Sequence, residues 1–200
     1  MELLNILGFG LLGYLSGSLS FALWVTRLVK GIDVRDAGSH HASTTNTVRQ
    51  VGWGAGVVVL IGDVAKGFIP VYLASTYGIS DWAIPVTGAL AVAGHCWPVF
   101  AQFRGGMGLA TAGGAILAVY PFGFLLGIGV LISMVLLIKH SARGALITGV
   151  LLAPTFWLFG ERGLSIWLGA SLGFVLAVRF FSDWNRVYKE LWLDRDKESA

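Results

Sequence analysis

The sequence predicts an all-α integral membrane protein of seven transmembrane helices, with its N-terminus outside and its C-terminus in the cytoplasm. Three observations lead there. The chain is 56% hydrophobic and 12% charged, whereas soluble domains run near about 25% charged. Its apolar residues gather in seven runs separated by short connections. Its basic residues fall almost entirely on one alternate set of those connections, which fixes an orientation. Twenty-eight glycines and eight tryptophans agree, because small residues let helices approach in lipid and aromatic rings anchor at its surface. A single cysteine, Cys96, excludes an internal disulfide framework.

The first run, Leu3–Val29, has Glu2 ahead of it where a signal peptide would carry positive charge, so it is expected to stay as a transmembrane helix. The second, Gly52–Thr76, contains Asp63 and Lys66. Their i,i+3 spacing supplies each charge with a partner, and the pair reads as packing and folding specificity toward the outer leaflet. Trp82–Phe100 is third. Gly108–Val119 is fourth and short, about 12 residues or roughly 18 Å of helix against a hydrocarbon core of about 30 Å. Its glycine-rich start is therefore expected somewhat below the water interface, enclosed by protein. Phe122–Ile138, Gly144–Phe159 and Gly163–Phe181 complete the set. Small-xxx-small pairs at Gly13/Gly17, Gly52/Gly56, Gly123/Gly127 and Gly169/Gly173 read as helix-packing positions.

Arg27, Lys30, Arg35 and Arg49 follow run one, Arg104 follows run three, and Lys139 and Arg143 follow run five. Arg179, Arg186, Lys189, Arg195 and Lys197 end the chain, while the opposite connections contain only Arg162. Residues 1–200 thus read as one polytopic membrane domain. Two site loops, 31–50 and 94–108, share the cytoplasmic side with a tail at 182–200.

Both loops carry potential chemistry. In the second, Gly105, Gly106 and Gly108 leave backbone N–H groups open to close approach. Arg104 adds a cation, and a helix starting at Gly108 adds its positive dipole end, so the turn describes an anion site. The first loop, GIDVRDAGSHHASTTNTVRQ, offers Ser39, Ser43, Thr44, Thr45, Asn46 and Thr47 as hydroxyl and amide donors and Arg49 as a planar cation. Such a set holds an oxyanion-rich substrate, or else is a hydrated loop in which Thr45 or Asn46 caps the next helix. His40, His41, His95, Cys96 and His140 share the cytoplasmic side, but no His-x-x-x-His or Cys-x-x-Cys spacing occurs. No metal and no cofactor is expected. Nor is nucleic acid, since no dense basic stripe lies outside the membrane runs.

Arrangement adds what composition leaves open. GSHHASTTNTVR, then DVAKG, then GHCWPVFAQFRGGMGLAT resembles the bacterial membrane glycerol-3-phosphate acyltransferases that use acyl-phosphate as donor, the PlsY family. The family pattern GSGNxGATNxxR falls on Gly38–Arg49, matching at Gly38, Ser39, Thr45, Asn46 and Arg49. DxxKG falls on Asp63, Lys66 and Gly67. GHxxPxFxxFxGGKGxAT falls on Gly94–Thr111 and matches at His95, Pro98, Gly105, Gly106, Gly108 and Thr111 among others. The chain departs from the pattern at Met107, where the family has lysine. It departs again at His40, His41 and Ser43, and at Asp183, which falls near a family asparagine.

The resemblance implies attack by the 1-hydroxyl of glycerol 3-phosphate on the acyl carbon of acyl-phosphate, releasing lysophosphatidic acid and phosphate. It also implies a multi-pass protein of the bacterial inner membrane, with other enzymes of phospholipid synthesis as partners. Ser39, Arg49, Thr45 and Asn46 would position one phosphate. Arg104 and the amides of Gly105, Gly106 and Gly108 would hold the other, with Thr111, Ser141 and Asp183 as further contacts. His95 would be proton acceptor or hydrogen-bond organiser. No nucleophilic side chain is required, because the donor is already activated. Met107 motivates an alternative, a catalytically silent or substrate-altered homologue that binds lipid precursors or a partner enzyme. A third reading is a small transporter, against which stand the lack of inverted repeats and the gathering of polar groups at one end.

Overall fold

The computed structural model describes residues 1–186, and among them no strand occurs. The helices are α1 (Glu2–Gly17), α2 (Phe21–Lys30), α3 (Thr44–Val51), α4 (Trp53–Tyr77), α5 (Ala83–Cys96), α6 (Leu109–Val119), α7 (Pro121–Ile138), α8 (Ser141–Leu158) and α9 (Leu164–Phe181), with 3-10 turns at Val34–Asp36 and Val99–Ala101. Among the described residues six stretches are long and apolar enough to cross a membrane: Glu2–Lys30, α4, Ala83–Ala101, α7, α8 and α9. The remaining expected run, the fourth, is α6, whose 11 residues make roughly 16 Å of helix.

The single helix expected over Leu3–Val29 is broken. α1 stops at Gly17 and α2 starts at Phe21, because local polar groups compete for the backbone between them. Ser18 Oγ donates to the Tyr14 carbonyl at 2.8 Å, and the Leu19 carbonyl accepts from Lys66 Nζ at 2.8 Å. Ser16 Oγ donates to the Lys66 carbonyl at 3.0 Å. Lys66 therefore ties α4 to the break, and its charge is met by Asp63 Oδ1 at 2.9 Å.

The region expected as an open loop over 31–50 contains α3. Ser43 caps that helix, not Thr45 or Asn46: it is extended, with φ −137°, and its Oγ accepts from the Asn46 amide at 3.3 Å. In the last part of the chain α8 begins three residues earlier than the expected Gly144, at Ser141, with His140 as its capping residue. Residues 187–200, most of the expected tail, lie outside the described residues.

Packing is backbone to backbone at three seams. Gly13 and Gly17 of α1 sit against the carbonyls of Thr87 and Ala91 on α5. Gly67 and Gly114 let α4 and α6 meet at the carbonyls of Thr111 and Val64, and Gly173 of α9 meets Gly149 of α8. Of the four expected pairs, Gly13/Gly17 and Gly169/Gly173 face neighbouring helices in this way. Gly52 meets nothing, and Gly123 meets the nearby Tyr120 ring. Val71, Val92, Phe156, Leu168, Leu172 and Leu176 fill the interior. The outside is apolar as well, with Leu3, Leu7, Ile61, Leu125, Leu137 and Phe174 all exposed, as lipid contact requires. α7 is the most peripheral helix: among its 18 residues only Gly123 is buried.

Candidate active site

The loop following α2 and the turn following α5 are joined by direct bonds. The Ala42 amide donates to the Gly105 carbonyl at 3.3 Å. Arg35 Nη1 donates to the Ala101 carbonyl at 2.8 Å, and Arg35 itself is held by Asp33 through Nε–Oδ1 at 2.9 Å and Nη2–Oδ2 at 2.7 Å. The Arg35 hydrogen bond holds the Asp33 carboxyl well below the usual carboxylate range, and the same bond raises the Arg35 pKa. The end of α9 fastens both. Arg179 Nε donates to the Gly106 carbonyl at 3.0 Å and its Nη2 to His41 Nδ1 at 3.1 Å. His41 Nε2 lies 2.8 Å from Asp183 Oδ2, and Arg186 Nη2 donates to the Ser39 carbonyl at 2.6 Å.

Within this frame lies a cavity of about 580 Å³. Its polar lining is Ser39, His41, Ser43, Thr44, Thr45, Arg49, Asp63, His95 and Ser141, with Met107 and Gly108 also on the wall. Its apolar lining includes Leu60, Val64, Phe124, Ile128, Leu131, Val135 and Phe180. A smaller apolar pocket continues between α6, α7 and α8, sharing Leu109, Phe124, Ile128 and Leu131 with the first.

Three helices present their N-terminal residues to this wall. α3 contributes Thr44 and Thr45, α6 contributes Leu109 and Ala110 after Gly108, and α8 contributes Ser141. The first amides of a helix have no intrahelical partner and carry its positive dipole end. No side chain caps α6 among the described residues, and Gly108 holds its start in a left-handed turn at φ 86°. These helix starts therefore favour an anion before Arg49 is counted.

Each expected residue can now be placed. Ser39, Arg49, Thr45, His95, Gly108 and Ser141 line the cavity. Asn46 does not: it is fully buried, its Nδ2 donates toward the carbonyls of Val34, Ala37 and His41, and its Oδ1 accepts from the Ser39 amide. Thr111 is fully buried with its Oγ1 3.1 Å from His95 Nδ1, so it meets the histidine and lies behind the wall. Asp183 belongs to the His41–Arg179 fastening and does not line the cavity.

The reading of Gly105 and Gly106 as open amides is corrected. The Gly106 N–H is taken by the His95 carbonyl at 3.1 Å, and neither glycine lines the cavity. A Cβ on Gly105 would strike the His95 carbonyl, and one on Gly106 would strike the His95 ring and the Ala42 carbonyl. These glycines are there for closeness. Arg104 is exposed and off the wall, because Gln102 and Phe103, both left-handed at φ 57° and 59°, carry the turn outward. His40 is exposed and left-handed as well (φ 57°), at the position where the pattern has glycine.

Sequence reasoning missed Asp63. Its Oδ1 lies 3.5 Å from His95 Nδ1, both residues line the cavity, and Lys66 pairs with Asp63 at 2.9 Å without lining the cavity itself. Its one advance signal was a carboxylate in an apolar run, which the adjacent lysine explained away. Among the described residues no group of three or more His, Cys, Asp or Glu could hold a metal.

Fold and cavity together define a class: a polytopic membrane protein with a pocket lined by polar side chains, helix starts and apolar residues. The comparisons make the class specific. The chain belongs to the glycerol-3-phosphate acyltransferase family, whose model matches residues 7–190. It is 37% identical to the glycerol-3-phosphate acyltransferase of Klebsiella pneumoniae (strain 342), over 96% of this chain and 95% of that relative. It is 41% identical to that of Pseudomonas entomophila (strain L48), over 72% of this chain and 76% of that one. The fold is similar to the crystal structure of PlsY (YgiH), an integral membrane glycerol 3-phosphate acyltransferase, in its glycerol 3-phosphate form. The TM-score is 0.78, with 31% identity and 90% of each chain covered.

Proposed function

We propose that this chain is a membrane acyltransferase of phospholipid synthesis, moving a fatty acyl group from acyl-phosphate to the 1-hydroxyl of glycerol 3-phosphate. The observation that carries this reading is one cavity whose wall combines polar side chains and helix starts with a large apolar lining, in a chain of this family. The apolar lining takes the acyl chain. Arg49, Ser39 and Thr45, with the starts of α3, α6 and α8, hold the phosphates of donor and acceptor side by side and screen their repulsion. The acceptor hydroxyl oxygen bonds to the acyl carbon, the bond from that carbon to the phosphate oxygen breaks, and inorganic phosphate leaves. Asp63 near Nδ1 favours a proton there, which leaves His95 Nε2 to receive the hydroxyl proton. Charge developing on the departing phosphate is stabilised by the uncapped amides of α6.

We further infer that α6 completes a seventh crossing, that the two joined loops and the end of α9 face the cytoplasm, and that the N-terminus lies outside. The asymmetry of basic residues supports this, and bacterial relatives support an inner-membrane location. Enzymes that supply acyl-phosphate are the expected partners.

One observation favours a second reading, the silent or substrate-altered homologue: Met107, a side chain that cannot pair with phosphate, lines the cavity. A single assay separates the two. Purified full-length chain, given acyl-phosphate, is expected to release inorganic phosphate when glycerol 3-phosphate is added. Release no greater than a protein-free blank, under conditions where a relative with the family lysine turns over, would establish the silent homologue.

A further inference from the structure

Thr44 stands apart from the polar residues around it. Its Oγ1 is the one buried side-chain nitrogen or oxygen among the described residues without a hydrogen-bond partner, and the residue lines the cavity. Three of its neighbours in the loop are spent. Ser43 Oγ accepts from the Asn46 amide, Thr47 Oγ1 donates to the Ser43 carbonyl at 3.0 Å, and the Asn46 amide group is committed to the loop backbone. A buried hydroxyl left unpaired is a standing cost, and native proteins carry one chiefly where a ligand or an ordered water completes it. Thr44 is also the first residue of α3, so an anion reaching its hydroxyl meets that helix's positive end too. Among groups that could approach through this cavity, a phosphate oxygen is the acceptor that both features suit. The family pattern quoted above has alanine at this position, so the hydroxyl belongs to this chain's own version of the site.

We propose that the Thr44 hydroxyl is a substrate ligand, donating a hydrogen bond to a phosphate oxygen of glycerol 3-phosphate or of the acyl-phosphate, and so supplies part of the grip that Met107 does not. This rests on the reading that the cavity takes phosphorylated substrates. Thr44→Val keeps the shape of the side chain and removes only the hydroxyl. The experiment titrates glycerol 3-phosphate and, separately, palmitoyl phosphate into wild-type chain, Thr44→Val, Thr44→Ser and Arg49→Ala in detergent, recording Kd and Tm.

The expected result is a Kd raised about tenfold or more for one ligand in Thr44→Val, with a Tm equal to or above wild type. Thr44→Ser should stay within about threefold of wild type. Which ligand weakens identifies the phosphate held. Wild-type affinities in Thr44→Val alongside weakened binding in Arg49→Ala would overturn the role of Thr44 and leave the cavity reading intact. A lowered Tm with unchanged Kd would make the hydroxyl structural and equally overturn it. Unchanged Kd values in both variants, or no binding of either ligand to wild type, would remove the cavity reading and this proposal with it.

Discussion

The loop after α2 and the turn after α5 meet at one cavity, yet they contribute in opposite ways. The first brings side chains: Ser39, Thr44, Thr45 and Arg49 all reach the wall. The second brings almost none beyond Met107. Its glycines instead let the backbone lie against His95 and Ala42, so that the start of α6 arrives where an anion can use it. Polar residues in one loop and glycines in the other look like two halves of a phosphate grip. In the structure the first loop brings side chains to the cavity wall and the second acts as a spacer, and even within the first loop Asn46 is scaffold. Hydrogen-bonding capacity in a sequence is therefore an upper bound on what remains for substrate.

The largest effect should come from attacking the spacer. Gly106→Ala puts a methyl group into the His95 ring and the Ala42 carbonyl, forcing the two segments apart. Turnover is expected to fall about a hundredfold or more, since small misplacements of reacting groups cost that much. Near wild-type turnover would mean that the contact between the segments is not needed.

A smaller effect is expected in the first loop, where Asp33 orients Arg35 against the Ala101 carbonyl. Asp33→Asn should lower stability by about 1–3 kcal/mol at neutral pH, because Arg35 is buried and Asp33 largely so. Because the native carboxyl is depressed below its ordinary 3.8, the pair's stabilisation is fully present above that value and is lost as pH falls through the depressed one. The Tm gap between wild type and Asp33→Asn should persist at pH 5 and close only at strongly acidic pH. A gap that closes above pH 5 would contradict the pairing. Arg104→Ala should do least, within about 0.5 kcal/mol in stability and with unchanged turnover. A large loss of substrate affinity there would restore Arg104 to the grip.

How much of this was legible beforehand follows from what the solvent enforces. Lipid demands long apolar runs, so α4, α5, α7, α8 and α9 were visible in the sequence within a few residues. The break at Ser18–Ser20 was not, because it depends on Lys66, distant in sequence, reaching the Leu19 carbonyl. Polar α3 was hidden too, being short and lacking an apolar run. In the site, Arg49 and Gly108 could be picked from residue type and placement, and His95 from the resemblance to the family pattern. Thr111 and Asn46 could not be sorted from them, because a motif names residues without saying whether their bonds are already used internally. Asp63 was misjudged for the converse reason: a partner one turn away looked sufficient, and its second neighbour, His95, comes from another helix.

The most direct test of the account is a structure of this chain with glycerol 3-phosphate bound. The account predicts phosphate oxygens at about 2.7–3.0 Å from the Arg49 guanidinium and from amide nitrogens at the start of α3 or α6. A phosphate seated instead on Arg104, or on the outer surface of the turn away from the cavity, would contradict it.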